Sequence, residues 1–194
     1  RDVERSRGLG DVYKRQVVLS PLFLVICIVN LFTPECSVFF SHERRGRRGK
    51  PFTIYKFQTM KNNTPNCATG ELENPEQYIT KFGKFLRKTS LDELPQLWNI
   101  LKGDMSFVGP RPLISSEMRA HRLRLEYGVY RFRPGLTGWA QINGRDSISL
   151  LRKMKLDKEY CDNWSLKLDL IILLRSVGAV VKQEGFHEGT YHRR

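Results

Sequence analysis

Two adjacent carboxylates, Asp92 and Glu93, follow Ser90 and precede a leucine-rich segment. The S-x-x-E spacing is typical of a capping box, in which Ser90 is the N-cap of a helix and Glu93 its third residue. The same position also permits chemistry. A helix N-terminus binds phosphate and lowers the pKa of a nearby carboxylate, and aspartate forms covalent phosphoryl intermediates. The residues alone leave both interpretations open: a helix cap, or a nucleophile beside a partner that handles a metal ion or a proton.

Basic side chains occur in segments that could meet this pair. Arg111 lies between two prolines, which restrict the backbone on both sides and suit a guanidinium held ready for phosphate. Arg133 also precedes a proline, and Lys56 lies within an expected strand. A rigid connector with a solvated arginine accounts for Arg111 as well, and Lys56 could contact a substrate or merely extend along an apolar surface.

Composition limits the class of protein. The chain has 194 residues, a formal net charge of +13 and 40% hydrophobic residues, which fits one domain with a substantial core and excludes a disordered, collagen-like or ordinary polytopic membrane protein. The charge indicates an anionic partner: nucleic acid, phospholipid headgroups or a phosphorylated substrate. The four cysteines form no CxxC pair, so neither a structural metal site nor a disulfide framework is expected.

One apolar, uncharged run covers residues 17–32. It is shorter than the roughly 20 residues that a spanning helix needs. Pro21, directly after Ser20, would kink or break a helix there. The run therefore predicts either a membrane-dipping or interfacial segment or a buried core helix.

The remaining pattern predicts a mixed fold, mostly helical. Strands are expected near residues 38–40 and 52–57, joined by a basic turn at 42–50, whose arginines are interpreted as a solvated face, a headgroup patch or a nucleic-acid contact, in that order. Apolar spacing predicts helix over 76–101, ending at Gly103. Residues 133–145 are predicted as loop or strand with an Asn-Gly turn. Further helices are expected at 115–130, 147–163 and 166–182.

Taken together, these segments resemble the bacterial sugar transferase family, the monotopic polyprenyl-phosphate phosphoglycosyl transferases. Four blocks carry the resemblance: RRGKPFTIYKFQTM (47–60), LRKTSLDELPQLWNILKGDMSFVGPRPL (86–113), RFRPGLTGWAQINGR (131–145) and LDKEYCDNWSLKLDLIILLRSV (156–177). The resemblance implies an α/β (α+β, mostly helical) fold, in which a compact cytoplasmic catalytic domain follows a re-entrant membrane helix broken at Ser20-Pro21.

The resemblance also implies a reaction: transfer of a sugar 1-phosphate from a UDP-sugar to undecaprenyl phosphate, with release of UMP, at the start of a capsule, exopolysaccharide, O-antigen or other glycan pathway. Asp92 would be the nucleophile that carries the phosphosugar and would bind Mg²⁺, and Glu93 would assist in proton transfer or positioning. The basic residues that match substrate-binding positions are Lys56, Arg87, Arg111 and Arg133.

The implied organisation has three parts. Residues 1–16 do not fit the family pattern and are interpreted as a foreign or mis-assembled segment, residues 17–34 as a truncated re-entrant helix, and residues 35–194 as the catalytic domain. The enzyme would lie on the bacterial inner membrane, in contact with its lipid and facing the cytoplasm, with no nucleic-acid partner. The rival interpretation is a basic, non-catalytic module that binds anionic membrane or nucleic acid and would tolerate loss of the Asp92 carboxylate.

Overall fold

The computed structural model describes residues 21–33, 35–65, 74–144 and 148–182, so the predicted break at Ser20-Pro21 and the segment 1–16 lie wholly or partly outside the described residues. The helices are α1 (residues 21–31), α2 (Lys81–Thr89), α3 (Gln96–Lys102), α4 (Met118–Glu126), α5 (Trp139–Ile142), α6 (Leu150–Asp162) and α7 (Leu166–Lys182). The strands are β1 (Phe39–Arg45), β2 (Pro51–Phe57), β3 (Ser106–Val108), β4 (Leu113–Ile114) and β5 (Gly135–Thr137).

Strands β1 and β2 form an antiparallel hairpin, and β4 pairs with the other edge of β1, which gives the order β2-β1-β4. The two predicted strands are thus confirmed, but β1 continues through Arg45 into the segment predicted as a turn. The turn itself is shorter and is closed by the Gly46 N–H, which donates to the Lys50 carbonyl at 2.8 Å. The structure also forms a two-stranded parallel sheet from β3 and β5.

The free edge of β2 is covered by one side chain of α3. Asn99 is fully buried; its Oδ1 accepts from the Tyr55 N–H at 3.2 Å and its Nδ2 donates to the Thr53 carbonyl at 2.7 Å. The amide therefore takes the place of a neighbouring strand and satisfies an edge that would otherwise present unpaired backbone groups. This contact fixes α3, and the turn before it, against β2.

The predicted helix over 76–101 is interrupted twice. Residue Ile79 pairs with Met60, and Thr80 caps α2 by accepting from the Gly83 N–H at 2.9 Å, so the helix begins only at Lys81. Gly83 lies so close to the preceding segment that a Cβ there would meet the Thr59 carbonyl oxygen at 2.1 Å. Helix α2 then ends at Ser90, whose positive φ of 57° turns the chain into a 3-10 turn at Leu91–Glu93.

Within the described ranges, three apolar clusters hold the elements together. Helix α1 packs Ile26 against Phe57 of β2 and Leu86 of α2. The other two clusters join α7 to β3 and α6, and α4 to β4 and α6. Helices α4, α6 and α7 confirm the three later predicted helices: α7 has the predicted bounds, and α4 and α6 are shorter than predicted. Residues 133–145, predicted as loop or strand, contain both β5 and the short helix α5, which the glycine-rich pattern did not reveal.

Replacing Asn99 by leucine, which has a similar volume, should lower the free energy of unfolding by about 2–4 kcal/mol, because the Tyr55 N–H and the Thr53 carbonyl would be buried without partners. Denaturant titration followed by circular dichroism measures the change. Asn63→Leu, at an exposed turn position, is the matched control and should change stability by about 0.5 kcal/mol or less. Equal losses in the two variants would contradict the covering role of Asn99.

Candidate active site

Asp92 and Glu93 lie in the 3-10 turn between α2 and α3, and the capping-box interpretation of this segment is wrong. Ser90 has left-handed backbone angles and its side chain makes no capping hydrogen bond. The Glu93 carboxylate does not return to the Ser90 backbone but points to cations of the neighbouring elements. The reason is that Ser90 is the left-handed C-cap of α2 and is followed only by the 3-10 turn, whereas α3 begins at Gln96.

Glu93 is held by two cations. Its Oε1 accepts from Lys56 Nζ at 2.7 Å and from Arg111 Nη2 at 3.1 Å. The Oδ2 atom of Asp92 lies 3.6 Å from the same Lys56 Nζ, which is an electrostatic contact beyond hydrogen-bond distance. Both carboxylate side chains are only 12% exposed, so the cluster is largely desolvated.

The backbone explains why these cations converge. Lys56 is near the end of β2, which packs against the turn that carries the carboxylates. Arg111 lies in the loop between β3 and β4, and this loop is pinned to β5: the Gly109 N–H donates to the Thr137 carbonyl at 2.9 Å, and the Gly135 N–H donates to the Pro110 carbonyl at 3.0 Å. Proline restriction and these bonds together present Arg111 to the site.

Arg87, on the last turn of α2, is the third cation near Asp92, after Lys56 and Arg111. Its Nε donates to Thr59 Oγ1 at 2.8 Å, and its charge lowers the pKa of Asp92. Four of the predicted substrate-binding and catalytic groups, Lys56, Arg87, Arg111 and Glu93, thus gather around Asp92 as expected from the sequence.

The pKa values of the two carboxylates are shifted in opposite directions. Burial raises the pKa of Asp92 above its usual range, Lys56 opposes this shift, and the negative charge of Glu93 reinforces it. Burial acts in the same direction on Glu93, but Lys56 and Arg111 outweigh it and hold the pKa of Glu93 well below its usual range. The sequence predicts a lowered pKa for Asp92, as for a carboxylate at a helix N-terminus. The structure gives a raised pKa instead. Glu93 is a permanent anion, whereas Asp92 carries a charge that the site leaves poorly compensated.

Arg133 is placed elsewhere. It is exposed and lines a cavity of about 380 Å³ at the far end of β2, together with Phe52, Gly103, Asp104 and the basic turn at 46–50. Phe52 and Lys56 are four residues apart on β2, or about 13 Å at the rise of a strand. The structure therefore does not bring Arg133 to the carboxylate pair, and its substrate-binding role stays a prediction.

One charged residue of the site was missed. Arg44 was grouped with the exposed basic run at 44–50, but it is half-buried on β1, and the electrostatic fields of Arg111 and Glu93 reach it. Its position in the alternation of β1 could have separated it from Arg45, because neighbouring strand residues face opposite sides of a sheet.

A resident metal centre made of protein ligands alone is not found among the described residues, where no group of three or more His, Cys, Asp or Glu side chains meets. The donor set fits a different arrangement. Mg²⁺ is often bound by one or two carboxylates together with substrate phosphates and water. Asp92 can supply one such carboxylate, whereas the carboxylate of Glu93 is already bound to Lys56 and Arg111.

A desolvated aspartate beside fixed cations suits attack on a phosphoryl group, because the cations compensate the charge of a phosphate that approaches an anionic nucleophile. Comparison with known proteins identifies the family of this chain. The chain matches the bacterial sugar transferase family over residues 13–183. It is an enzyme of that family, a transferase.

Relatives of this chain are similar over most of its length. The sugar transferase EpsL of Bacillus subtilis is 44% identical over 176 residues, which cover 86% of each chain. The exopolysaccharide production protein ExoY of Sinorhizobium fredii is 39% identical over 204 residues, covering 92% of this chain and 90% of the relative. A UDP-glucose:undecaprenyl-phosphate glucose-1-phosphate transferase of Escherichia coli is 38% identical over 187 residues, covering 88% of this chain and 40% of that protein.

Replacing each carboxylate by its amide should change the free energy of unfolding differently for Asp92 and for Glu93. Asp92→Asn should leave the free energy of unfolding unchanged within about 0.5 kcal/mol or raise it, because the amide removes a buried charge that is poorly compensated. Glu93→Gln should lower it by roughly 2–4 kcal/mol, because Lys56 and Arg111 lose their anion. Denaturant titration at pH 7 measures both, with the exposed Asp162→Asn as control. A larger loss in Asp92→Asn than in Glu93→Gln would contradict this division.

Proposed function

We propose that this chain transfers a sugar 1-phosphate from a UDP-sugar to undecaprenyl phosphate, releasing UMP and forming a lipid-linked diphosphosugar that begins exopolysaccharide or related glycan synthesis. The observation that carries the proposal is the arrangement around Asp92: a buried carboxylate of raised pKa, beside Lys56, Arg87 and Arg111. The printed activity of the Escherichia coli relative supports the substrate classes.

In the proposed reaction an oxygen of Asp92 attacks the β-phosphorus of the UDP-sugar. The bond between that phosphorus and the bridging oxygen breaks, and the electron pair leaves with UMP. An oxygen of the lipid phosphate then attacks the same phosphorus and displaces Asp92, which regenerates the carboxylate. Lys56 and Arg111 are held in place by Glu93, so their charge is already oriented when the diphosphate arrives.

Mg²⁺ is proposed as the cofactor, and Asp92 is the described side chain that would hold it, with the diphosphate supplying further oxygens. The ion would supply charge compensation between the carboxylate and the phosphate. Because Asp92 is the one carboxylate that the described part of the site offers for it, the affinity for Mg²⁺ should depend on the bound nucleotide.

We also propose that the enzyme lies on the cytoplasmic face of the bacterial inner membrane, with residues 17–34 as a re-entrant segment. Among the described residues, no helix has the length and hydropathy needed to cross a bilayer. Support for a membrane surface comes from α1, which buries Ile26 in the core but leaves Leu24, Ile28 and Leu31 exposed. Exposed apolar faces of this kind occur at membrane and protein contacts.

The position of α1 relates the two ends of the β1–β2 hairpin to the proposed membrane surface. The ring of Phe23 on α1 contacts those of Phe39 and Phe57 at tilted angles, at the end of the hairpin where Lys56 lies. The basic turn at 46–50 is at the opposite end, about 20 Å away along seven strand residues. If α1 contacts the lipid, the carboxylate pair is near the membrane and the basic turn is distant from it, which favours the solvated interpretation of that turn.

Release of UMP tests the proposal. Purified protein in detergent, with a panel of UDP-sugars, undecaprenyl phosphate and Mg²⁺, should release UMP, and Asp92→Asn should reduce the rate by 10³-fold or more, as expected on removal of a nucleophile (a factor of about 10³–10⁶). Asp162→Asn should keep the wild-type rate, and chelation of Mg²⁺ should stop the reaction.

Two results would contradict the proposed function. The first is wild-type protein that releases no UMP with any UDP-sugar. The second is Asp92→Asn that turns over as fast as wild type, because a basic binding module would tolerate this change without loss.

Flotation with vesicles of phosphatidylethanolamine and phosphatidylglycerol tests the membrane location. The wild-type protein should float with the vesicles, and the double variant Leu24→Glu, Ile28→Glu should stay in the dense fraction, because two charges would enter the apolar surface of α1. Leu151→Glu, at an exposed position of α6, should float like the wild type. Flotation of the double variant at the wild-type level would exclude α1 as the membrane contact.

A further inference from the structure

Arg44 lies on the face of the hairpin that carries Lys56. It pairs across β1 and β2 with Phe52, and across β1 and β4 with Ile114. Its side chain is half-buried, and its Nε atom is buried with no hydrogen-bond partner. Among the described residues Arg44 makes no ion pair within 4.0 Å either. A guanidinium in this state has lost part of its hydration without a protein anion to replace it.

The carboxylates near Arg44 are already bound to other groups. Glu93 accepts from Lys56 and Arg111, and Glu117 accepts from the Ile114 N–H at 2.8 Å. Burial and the neighbouring charge of Arg111 lower the pKa of Arg44 to about 10, against the weaker opposing charges of Glu117 and Glu93. Arg44 is therefore still protonated at neutral pH, and no carboxylate of the described residues forms an ion pair with it.

We propose that Arg44 binds the phosphate of the leaving nucleotide, a nucleoside monophosphate, in the transfer reaction; the inference rests on the proposed function. As the bond from the β-phosphorus to the bridging oxygen breaks, that oxygen gains negative charge and departs with the nucleotide. Arg44 would compensate this charge by donating from its guanidinium to the phosphate.

Placement favours the leaving phosphate over the attacked one. Arg44 is paired with Phe52, which is four residues, or about 13 Å at the rise of a strand, from Lys56 along β2. Lys56 is the cation that lies 3.6 Å from Asp92, so Arg44 lies further along the same face of the hairpin than the nucleophile, on the side towards the basic turn at 46–50. In phosphoryl transfer the attacking and leaving oxygens are roughly in line, so a cation on the far side is near the leaving oxygen.

Space for the rest of the nucleotide exists on the same side. Phe52, the cross-strand partner of Arg44, lines the 380 Å³ cavity at the end of β2. Pockets of roughly 300 Å³ and above hold small organic ligands. The path from Asp92 past Arg44 therefore leads towards a cavity and away from the apolar surface of α1.

Binding of UMP and of uridine to the same variants isolates the phosphate contact. Arg44→Gln should weaken UMP binding about 10- to 100-fold, the expected loss of a charge-assisted hydrogen bond, and should leave uridine binding unchanged. Arg44→Lys should recover part of the UMP affinity. Arg45→Gln removes the same charge from the next residue, which faces the other side of the sheet, and should change neither affinity. Calorimetric titration of the wild type and the three variants measures both affinities.

The rate of UMP release should follow the UMP affinities of the variants. In Arg44→Gln the rate of UMP release should fall at saturating lipid, and more strongly than in Arg44→Lys, while the denaturation midpoint of both variants shows that they are folded. If wild type releases UMP but Arg44→Gln binds UMP as tightly as wild type, the role of Arg44 is wrong and the proposed function stands. Equal losses of UMP and uridine affinity would also overturn it, because they indicate a structural effect. Wild-type protein that releases no UMP contradicts the proposed function itself.

Discussion

The buried ion pair between Lys56 and Glu93 is the contact on which the rest of the site depends. It joins the end of β2 to the turn after α2 at 2.7 Å, and Arg111 adds a second cation from the β3–β4 loop. Three segments that are far apart in the chain are thereby joined at the negative charge of Glu93. A buried pair of this kind adds little net stability but is strongly unfavourable to break, so it fixes the geometry of the site. With Lys56 and Arg111 bound to Glu93, Asp92 is left as the carboxylate suited to react.

Much of the local structure follows from the sequence, and the errors have physical causes. Periodicity located the hairpin and the helices α4, α6 and α7, because apolar spacing reports which face is buried. It missed the break before Lys81, which depends on pairing of Ile79 with Met60. It also placed the start of the next helix at Ser90, where the left-handed backbone leads into a 3-10 turn and α3 begins only at Gln96. Because of this turn, the predicted capping box does not form. Short α5 lies in a segment whose glycines suggested a loop.

The candidate site shows a similar division. Motifs identified Asp92, Glu93, Lys56, Arg87 and Arg111, and the structure brings them together. The sequence could not tell that Arg133 faces a separate cavity, or that Arg44 turns inward from a basic run, because both facts depend on strand pairing over long distances in the chain. The direction of the Asp92 pKa was also misjudged, because burial outweighs the expected effect of a helix N-terminus.

The most direct measurement of the central claim is intact-protein mass spectrometry after incubation with a UDP-sugar and Mg²⁺ but without lipid, followed by peptide mapping. A mass increase of one sugar phosphate is expected, located on Asp92 and lost on addition of undecaprenyl phosphate. A modification mapped to Glu93 or to another residue would contradict the assignment of the nucleophile. Absence of any modification in a protein that releases UMP at full rate with lipid would show direct transfer, without a covalent enzyme intermediate.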